Sequence, residues 1–370
     1  MAITIQPYTE DWIPAVKAFN TRLAAGGIDP AFHFHETSIP PWLPKLSDRR
    51  TYQEFYLAVD KNEVRGAFIL KFQDFFLRGD TRTVVYYHLP VSEGIVNKAY
   101  SSVGVHMLRA ALKAQPLLYC LGMGGFDLPL PQMLKAMGWS LCEVPFAFRV
   151  NHAANFLRQI APLRQSKALR FIGNLAAVTG AGWTGINMLQ KRYSSARQPD
   201  IAAELVDSFE GWADELWQQT RNQYSMIAGR DRATLSVLYP LGKDLFRLKI
   251  SRGDRIIGWA VVLDTQMKNN KYFGNMRVGS IADCLAAPED AVAVVQAATE
   301  FLQERDVDLV VSNQLHSAWV NGMKARGFLD GPSNFIFAAS KPLAEIIGPL
   351  DANKHNLHFT RGDGDGPVNL

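Results

Sequence analysis

The chain has 370 residues, 48% of them hydrophobic and 20% charged, with a formal net charge of +4. These values are typical of a globular protein of two domains, and they exclude a disordered or fibrous chain. The three cysteines have no zinc-like spacing, the start shows no secretory signal, and no stretch has the roughly 20 apolar residues of a membrane span, so we expect a cytoplasmic protein.

The hydrophobic pattern of residues 1–150 predicts the element order β-α-β-β-β-α-β-α-β. Alternating or β-branched runs predict the strands, and apolar residues at helical spacing predict the helices. The elements are a strand at 3–7, a helix opening at Thr9, hairpin strands at 55–59 and 64–72, a strand at 81–89, a helix at 100–114, a strand at 116–121, a helix at 131–137 and a closing strand at 143–150. This order indicates a mostly antiparallel sheet with one βαβ unit at its middle.

Residues 200–342 repeat this predicted order. Their elements are helical segments at 207–226, hairpin strands at 246–251 and 256–263, a strand at 279–284, a helix at 288–305, a strand at 309–312, a helix at 320–326 and a strand at 334–339. The stretch between the two halves differs from both in charge. It has no acidic residue between Glu143 and Asp200, although it has eight basic ones: Arg149, Arg158, Arg164, Lys167, Arg170, Lys191, Arg192 and Arg197. Such concentrated positive charge indicates an anionic partner.

Sequence matches at a nearly constant offset indicate that the two halves are copies of one domain. The stretch from Leu134 to Trp139 recurs from Met323 to Phe328, an offset of 189 positions, and Gly66 pairs with Gly258 in the two hairpins. A period this long is typical of a duplicated domain and not of a solenoid. We therefore predict a first domain at 1–150, a linker at 151–199, a second domain at 200–342 and a tail at 343–370.

This element order, with a short helix that ends in glycine and an aromatic residue before the last strand, resembles the GNAT acyltransferase fold. The resemblance implies an α/β fold of two tandem domains, each with a mixed sheet, and acetyl-CoA or another acyl-CoA as cosubstrate. In that family, the loop from the fourth strand into the next helix presents backbone N–H groups to the pyrophosphate. Here that loop contains Ser101, Ser102, Val103, Gly104 and Val105, which we expect to bind the acyl donor.

The corresponding loop of the second copy departs from the family pattern. It carries Glu289 and Asp290 where phosphate would lie, and like charges oppose anion binding. The family's tyrosine four residues before the Gly-Phe pair, often the acid that protonates the leaving thiolate, is replaced by Leu134 and Met323. We therefore expect coenzyme A in the first copy and an architectural or substrate-binding role for the second.

Two further resemblances concern substrate and pathway. Tandem copies with loose motifs resemble the FemAB-type peptidyltransferases, which use aminoacyl-tRNA and lipid-linked cell-wall precursors. The stretches from Phe335 to Ala344 and from His358 to Gly366 resemble the tandem-GNAT proteins of bacterial exopolysaccharide and holdfast-type adhesin production. That resemblance implies acylation of a sugar amine, or of a lipid-linked glycan, for surface polysaccharide. The alternative without catalysis is a degenerate tandem-GNAT effector, which senses a small ligand and docks on a biosynthetic complex.

Titratable residues cluster at the end of the predicted strand 81–89. Transfer to an amine needs a base for the ammonium proton and donors for the developing oxyanion. We predict His88 and Glu93 as bases and Tyr87 as an acid, because the family's sheet splays there to admit the acyl chain. Ordinary strand packing is the alternative.

His33, His35 and Trp42 lie between the first two helical regions, in a segment that often walls the acceptor pocket in this family. We predict such a wall, with Trp42 stacked on a sugar; loop packing is the alternative. The alternation of histidines suits a pair of metal ligands, but no third ligand stands at usable spacing, so we expect no metal.

The segment 156–193 combines most of the basic excess with apolar residues and Trp183. This pattern resembles that of an interfacial segment at the inner membrane surface. An interdomain helix with a solvated basic face is the alternative. We expect no nucleic-acid partner, because no recognition motif accompanies the basic residues.

The tail alternates glycine with charge at Arg361, Asp363 and Asp365. Disorder is typical of such a terminus. The alternative is a loop that folds over an anionic or guanine-containing ligand, since arginine and aspartate suit phosphate and guanine edges.

Overall fold

The computed structural model describes residues 3–46, 48–161, 181–364 and 366. Its chain forms two compact units. Unit 1 contains Met1–Cys142 and Ile336–Ala352, and unit 2 contains Glu143–Phe335 and Asn353–Leu370. Each unit is built on a sheet with both parallel and antiparallel neighbours, which confirms the predicted α/β class.

The elements are numbered in chain order over the described residues. The strands are β1 Thr4–Pro7, β2 Tyr52–Asp60, β3 Glu63–Leu77, β4 Asp80–Ser92, β5 Leu118–Met123, β6 Ser140–Glu143, β7 Phe146–Val150, β8 Ile201–Leu205, β9 Met226–Ala228, β10 Leu245–Arg252, β11 Arg255–Gln266, β12 Arg277–Ala286, β13 Leu309–Asn313, β14 Leu329–Gly331, β15 Phe335–Ala339 and β16 Leu357–His358. The α-helices are α1 Ile13–Ala25, α2 Val103–Ala114, α3 Pro129–Ala136, α4 Ala153–Gln159, α5 Ala181–Tyr193, α6 Gly211–Thr220, α7 Arg232–Leu238, α8 Ala291–Glu304, α9 Ser317–Ala325, α10 Lys341–Ile347 and α11 Leu350–Asn353.

The sheet of unit 1 runs in the order β1-β2-β3-β4-β5-β15-β6. Strands β1 to β4 pair antiparallel, and β5 then pairs parallel with β4 after the crossover helix α2. Helix α2 packs on one face through Val103 and Met107, and α1 packs on the other through Phe19 and Leu23. The sheet therefore has a separate hydrophobic core on each face.

The sheet of unit 2 runs in the order β14-β7-β13-β12-β11-β10-β8. Its parallel pair, β12 and β13, is joined by the crossover helix α8, whose apolar side chains are buried. The opposite face has its own core around Val278 and Val311, which Phe156 of α4 and Ile186 of α5 cover. Unit 2 thus repeats the layered plan of unit 1.

Gly66 and Gly258, which the repeat aligns, have the same structural role. A Cβ atom on Gly66 of β3 would lie 2.7 Å from Met107 Sδ, and one on Gly258 of β11 would lie 2.5 Å from Val294 Cγ2. Both distances are shorter than van der Waals contact. The glycines therefore let each crossover helix approach its sheet closely.

The last strand of each copy belongs to the sheet of the other unit. Strand β7 lies between β13 and β14 in unit 2, and β15 lies between β5 and β6 in unit 1. The single closing strand predicted at 143–150 is therefore wrong, because the chain leaves β6 and enters β7 at Val144 and Pro145. Proline has no N–H to donate, so it interrupts the ladder where the chain changes sheets.

The structure also bears on membrane spanning. Across the described ranges, none of the helices combines the length and the apolar character that crossing a bilayer requires.

Candidate functional site

Strands β4 and β5 of unit 1 pair over a short distance and then separate. Their parallel register has the pairs Val85↔Leu118 and Tyr86↔Tyr119, whereas β4 continues to Ser92. Beyond the paired part, the Tyr86 hydroxyl donates a hydrogen bond of 2.9 Å to the carbonyl of Leu121. The two strands thus form a splayed opening in the middle of the sheet.

A β-bulge lies in β4 beside this opening. The register with β3 changes so that Ile69 faces His88 while Ala67 faces Val91, which leaves Leu89 and Pro90 opposite one residue. Leu89 has a φ of 45°, in a region that non-glycine residues occupy at a cost of about 1–3 kcal/mol. Bulges are common next to active sites, because they take a backbone amide out of the ladder.

Helix α2 begins at the same end of the sheet, with an uncapped and uncharged first turn. The N-cap residue Ser102 makes no side-chain hydrogen bond to the helix, and no acidic residue lies in the first turn. Ser101 and Ser102 are exposed, and a Cβ atom added to Gly104 would approach nothing closer than Met133 Sδ, at 3.7 Å. The first N–H groups of a helix have no intrahelical partner, so this start has the chemistry of an anion site.

The corresponding helix start of unit 2 is filled. Glu289 and Asp290 precede α8, and the Asp290 carboxylate pairs with Arg252 at 2.7 Å and with Arg255 at 3.3 Å. A Cβ atom on Gly322 of α9 would lie 3.4 Å from the backbone of Ala291, so α9 packs directly on this start. The two copies therefore differ at the position where the family binds pyrophosphate.

The splayed opening of unit 2 is also filled, by the C-terminal segment 357–363. Strands β12 and β13 pair from Val278 to Ser280, after which Gln314 forms an isolated bridge with Thr360. The Thr360 hydroxyl donates to the Asp283 carboxylate at 2.9 Å. A Cβ atom on Gly362 would come within 3.0 Å of Asp283 Cβ, so only glycine fits there.

The prediction that the C-terminal tail is disordered is wrong for the part that the structure describes, because that part is folded. Arg361–Asp363 form a short 3-10 helix in which Asp363 is 1% exposed. The Asp363 carboxylate lies 2.6 Å from the fully buried Arg230, which also pairs with Asp283 at 2.9 Å. Asp363 therefore neutralises a core arginine. Asp365 lies outside the described residues.

Three separately predicted residues come together on the face of the unit 1 sheet that is opposite α2. His88 stacks on Tyr86 with ring centroids 5.0 Å apart, and His35 stacks on Phe55 at the same distance. The pKa of His35 is lowered, first by burial and second by the charge of His88. Trp42 lies near Lys71 on this face. The role of His33, His35 and Trp42 as a wall of the acceptor pocket stays a prediction.

Sequence reasoning missed Lys71, which is completely buried beside these residues. Its ammonium lies 5.5 Å from the centroid of the Trp42 ring and 5.3 Å from that of Tyr86, a cation–π arrangement. Its strand also carries the polar residues Gln73 and Asp74, so residue type alone did not distinguish Lys71 as a buried residue. A lysine in such a strand faces either solvent or a polar site.

The other predicted residues lie elsewhere. Tyr87 points to the α2 core, its hydroxyl has no hydrogen-bond partner within the described residues, and burial raises its pKa well above the ordinary value. Glu93 is buried and pairs with Arg22 at 3.1 Å and with Arg65 at 3.0 Å. His33 is partly buried. The catalytic roles of Tyr87 and Glu93 stay predictions.

Comparisons with known proteins bear on the fold. No protein-family model matches the chain, and no curated protein matches its sequence. Among solved structures, N-myristoyltransferase of Saccharomyces cerevisiae with bound myristoyl-CoA and inhibitors matches with a TM-score of 0.50 at 11% identity, over 91% of this chain and 79% of that one. A GCN5-related N-acetyltransferase from Anabaena variabilis matches with a TM-score of 0.51 at 9% identity, over 91% and 72%. The chain therefore has the fold of the GNAT acyltransferases.

Proposed function

We propose that this chain is an acyl-CoA-dependent N-acyltransferase whose donor, acetyl-CoA or another acyl-CoA, binds to unit 1. The observation that carries the proposal is the uncapped, acid-free start of α2 beside the splayed strands β4 and β5. The positive end of a helix dipole with free N–H groups stabilises a pyrophosphate. Unit 2 lacks both features, because Asp290 and the segment 357–363 fill the equivalent positions.

His88 is the base that we propose for the transfer. It lies next to the bulge, on the face that His35 and Trp42 wall, whereas two guanidinium groups already hold the charge of Glu93. The attacking amine gives up its proton to the imidazole as its nitrogen bonds to the thioester carbonyl carbon. The tetrahedral intermediate then collapses, the C–S bond breaks, and the coenzyme A thiolate leaves and takes a proton from the imidazolium or from water. The N–H of Leu89 is the proposed donor to the oxyanion, since its bulge partner Pro90 has none.

We propose an amino sugar of bacterial surface polysaccharide as the acceptor. The aromatic face of Trp42 supports this, because sugar rings pack their C–H groups on such faces. A lipid-linked form of the acceptor, with the protein at the inner membrane surface, is supported by helix α5. That helix exposes Trp183, Met188 and Leu189 together with Lys191 and Arg192.

Thiol release from acetyl-CoA in the presence of amino sugars tests the proposal. We expect the full chain to bind acetyl-CoA and to release coenzyme A when glucosamine is added. His88→Ala lowers the rate by about 10²–10⁴-fold and leaves acetyl-CoA binding unchanged. The exposed His106→Ala, on α2, is the matched control and keeps the wild-type rate. No binding of acetyl-CoA by the wild type would overturn the proposal.

A ligand-sensing protein without catalysis is the second candidate. The observation in its favour is that Leu134 and Met323, both buried, occupy the positions of the family's proton donor. If the protein only senses a ligand, it binds acetyl-CoA, but adding an amine does not release the coenzyme A thiol. The same assay therefore separates the two candidates.

A further inference from the structure

Unit 2 contains a small cavity that belongs to neither filled site. Its volume is about 150 Å³, and it lies between the end of β7 and helix α5. Arg149 and Asn151 line it from β7 and the residue that follows, and Trp183, Asn187 and Gln190 line it from α5. An arginine in such a cavity needs a partner for its charge.

Arg149 has no carboxylate partner among the residues that the structure describes. Its Nε atom is buried without a hydrogen-bond partner, and Nη1 donates to the carbonyl of Arg326 at 3.1 Å. Glu300, which lies 4.0 Å from the neighbouring Arg326, already pairs with Arg197 at 2.9 Å. Burial lowers the pKa of Arg149, and the charge of Arg326 lowers it further.

The sequence excludes an obvious alternative. Residues 162–180, which follow α4 and precede α5, contain no aspartate or glutamate, so they hold no carboxylate for Arg149. Arg149 as a whole is partly buried, but its Nε atom is buried and has no partner among the described residues. A buried donor that is left unsatisfied lowers the stability of the folded protein. A folded protein that retains such a group therefore gains stability from an anion that enters the cavity.

The remaining walls suit an oxyanion. The amide of Asn187 makes no hydrogen bond to any described residue, so its donors remain available. The Gln190 amide is fixed in place, since its two ends bond to the backbone of Val150 at 2.7 and 3.1 Å. Trp183 stands at the mouth with 59% of its surface exposed.

We propose that this cavity binds a phosphate group, with the Arg149 guanidinium as the charged donor and the Asn187 amide as a neutral one. The cavity has room for a phosphate group. The phosphate comes either from a small soluble compound or from a phospholipid headgroup. The lipid source accords with the apolar residues that α5 exposes beside the mouth, namely Trp183, Met188 and Leu189.

Titration of the full chain with inorganic phosphate tests the site, with sodium chloride at equal ionic strength as the reference. We expect the thermal midpoint to rise with phosphate concentration, because a ligand that binds the folded state stabilises it. Arg149→Gln weakens the apparent affinity about tenfold or more, since it removes a charged hydrogen-bond donor. Lys268→Gln, an exposed change in unit 2 outside α5 and the cavity lining, keeps the wild-type response.

Vesicle flotation distinguishes the two sources. If the phosphate belongs to a lipid, vesicles of phosphatidylcholine with phosphatidic acid retain the wild type but not Arg149→Gln. If it belongs to a soluble compound, both proteins float alike and only the phosphate titration separates them. The proposal is overturned if Arg149→Gln matches the wild type in both assays. It is equally overturned if the wild type responds to neither inorganic phosphate nor the vesicles. As a control, a cooperative unfolding transition of Arg149→Gln confirms that the variant is folded.

Discussion

At the scale of single residues, unit 2 has a cluster of fully buried charges at its splayed opening. In unit 2, Arg230 is fully buried between Asp283 and Asp363, and the Tyr239 hydroxyl donates to Asp283 at 2.5 Å. Burial raises the pKa of Asp283, and Arg230 opposes that rise. The positive charge of Arg230 therefore offsets the charges of two buried carboxylates. These ion pairs hold the segment 357–363 in the splayed opening of unit 2.

Replacing Arg230 with glutamine should destabilise unit 2 strongly. The change leaves two buried carboxylates without a cation, which costs about 3–5 kcal/mol of unfolding free energy. Urea unfolding followed by tryptophan fluorescence measures the loss. Arg232→Gln removes an exposed pair with Asp214 and should cost less than about 0.5 kcal/mol. Equal midpoints for the two variants would contradict this assignment.

Two buried histidines of unit 2 should make stability depend on pH. Burial, with a smaller effect of His355, lowers the pKa of His316 from 6.5 to about 4, and burial lowers that of His358 as well. Between pH 6.5 and about 4 the unfolded chain binds more protons than the folded one. Stability is therefore complete above pH 6.5 and falls on acidification, by about 2 kcal/mol for His316 at pH 5.

The variant His316→Asn isolates this contribution. His316 Nδ1 accepts a hydrogen bond from the N–H of Ala318 at 3.2 Å, and asparagine retains an acceptor at that cap. We expect the variant to have a shallower decline of its thermal midpoint between pH 7 and pH 5. A decline as steep as that of the wild type would show that another group carries the dependence.

The sequence identified some of these residues and missed others for one physical reason. His35, Trp42 and His88 are rare residue types in short segments, so their chemistry was visible before their positions were known. Lys71 and Arg230 became informative only through burial, which depends on neighbours far away in the chain. Charge alone does not reveal whether a side chain faces water.

At the scale of elements, the starts of α2 and α8 explain why one copy is a candidate for donor binding. Helix α2 has no acidic residue in its first turn, whereas α8 follows Glu289 and the paired Asp290. The sequence predicted this difference, because it depends on residue type at a helix boundary. Packing of α9 on α8 at Gly322 was not predictable, since a helix–helix contact is not local.

Ser102→Asp should block the donor site and leave the fold intact. A carboxylate at the N-cap accepts hydrogen bonds from the first amides and opposes a phosphate, so acetyl-CoA affinity falls about tenfold or more. The thermal midpoint stays the same or rises, because the helix dipole favours a negative charge at the N-terminus. Ser102→Asn, which has the shape of the aspartate variant without its charge, is the matched control in calorimetric titrations. Wild-type affinity in Ser102→Asp would place the donor elsewhere.

At the scale of the whole molecule, the copies are not independent in topology. The repeat predicted two units of similar order, and the structure has them. It did not predict that β7 and β15 would each complete the other sheet, because the two copies are equivalent in hydrophobic pattern. When two strands have the same hydrophobic pattern, the connections of the chain decide which sheet each strand joins. Hydrophobic periodicity in the sequence does not encode those connections.

The exchange predicts that residues 1–150 alone do not form a stable domain. Without β15, strands β5 and β6 lose the strand between them, and the core loses Ala338. We expect this fragment to unfold without a cooperative transition by circular dichroism. A fusion of residues 1–142 to residues 334–352 through a flexible linker should regain cooperativity. A fragment 1–150 that melts as sharply as the fusion would contradict the role of the exchanged strand.

Amide hydrogen exchange with and without acetyl-CoA is the most direct measurement of the central claim, that the start of α2 seats the acyl donor. The backbone amides of Val103, Gly104 and Val105 should exchange more slowly when acetyl-CoA is bound. Those of Val292 and Ala293, at the start of α8, should be unaffected. Unchanged exchange at 103–105, or protection that appears at 292–293 instead, would contradict the account.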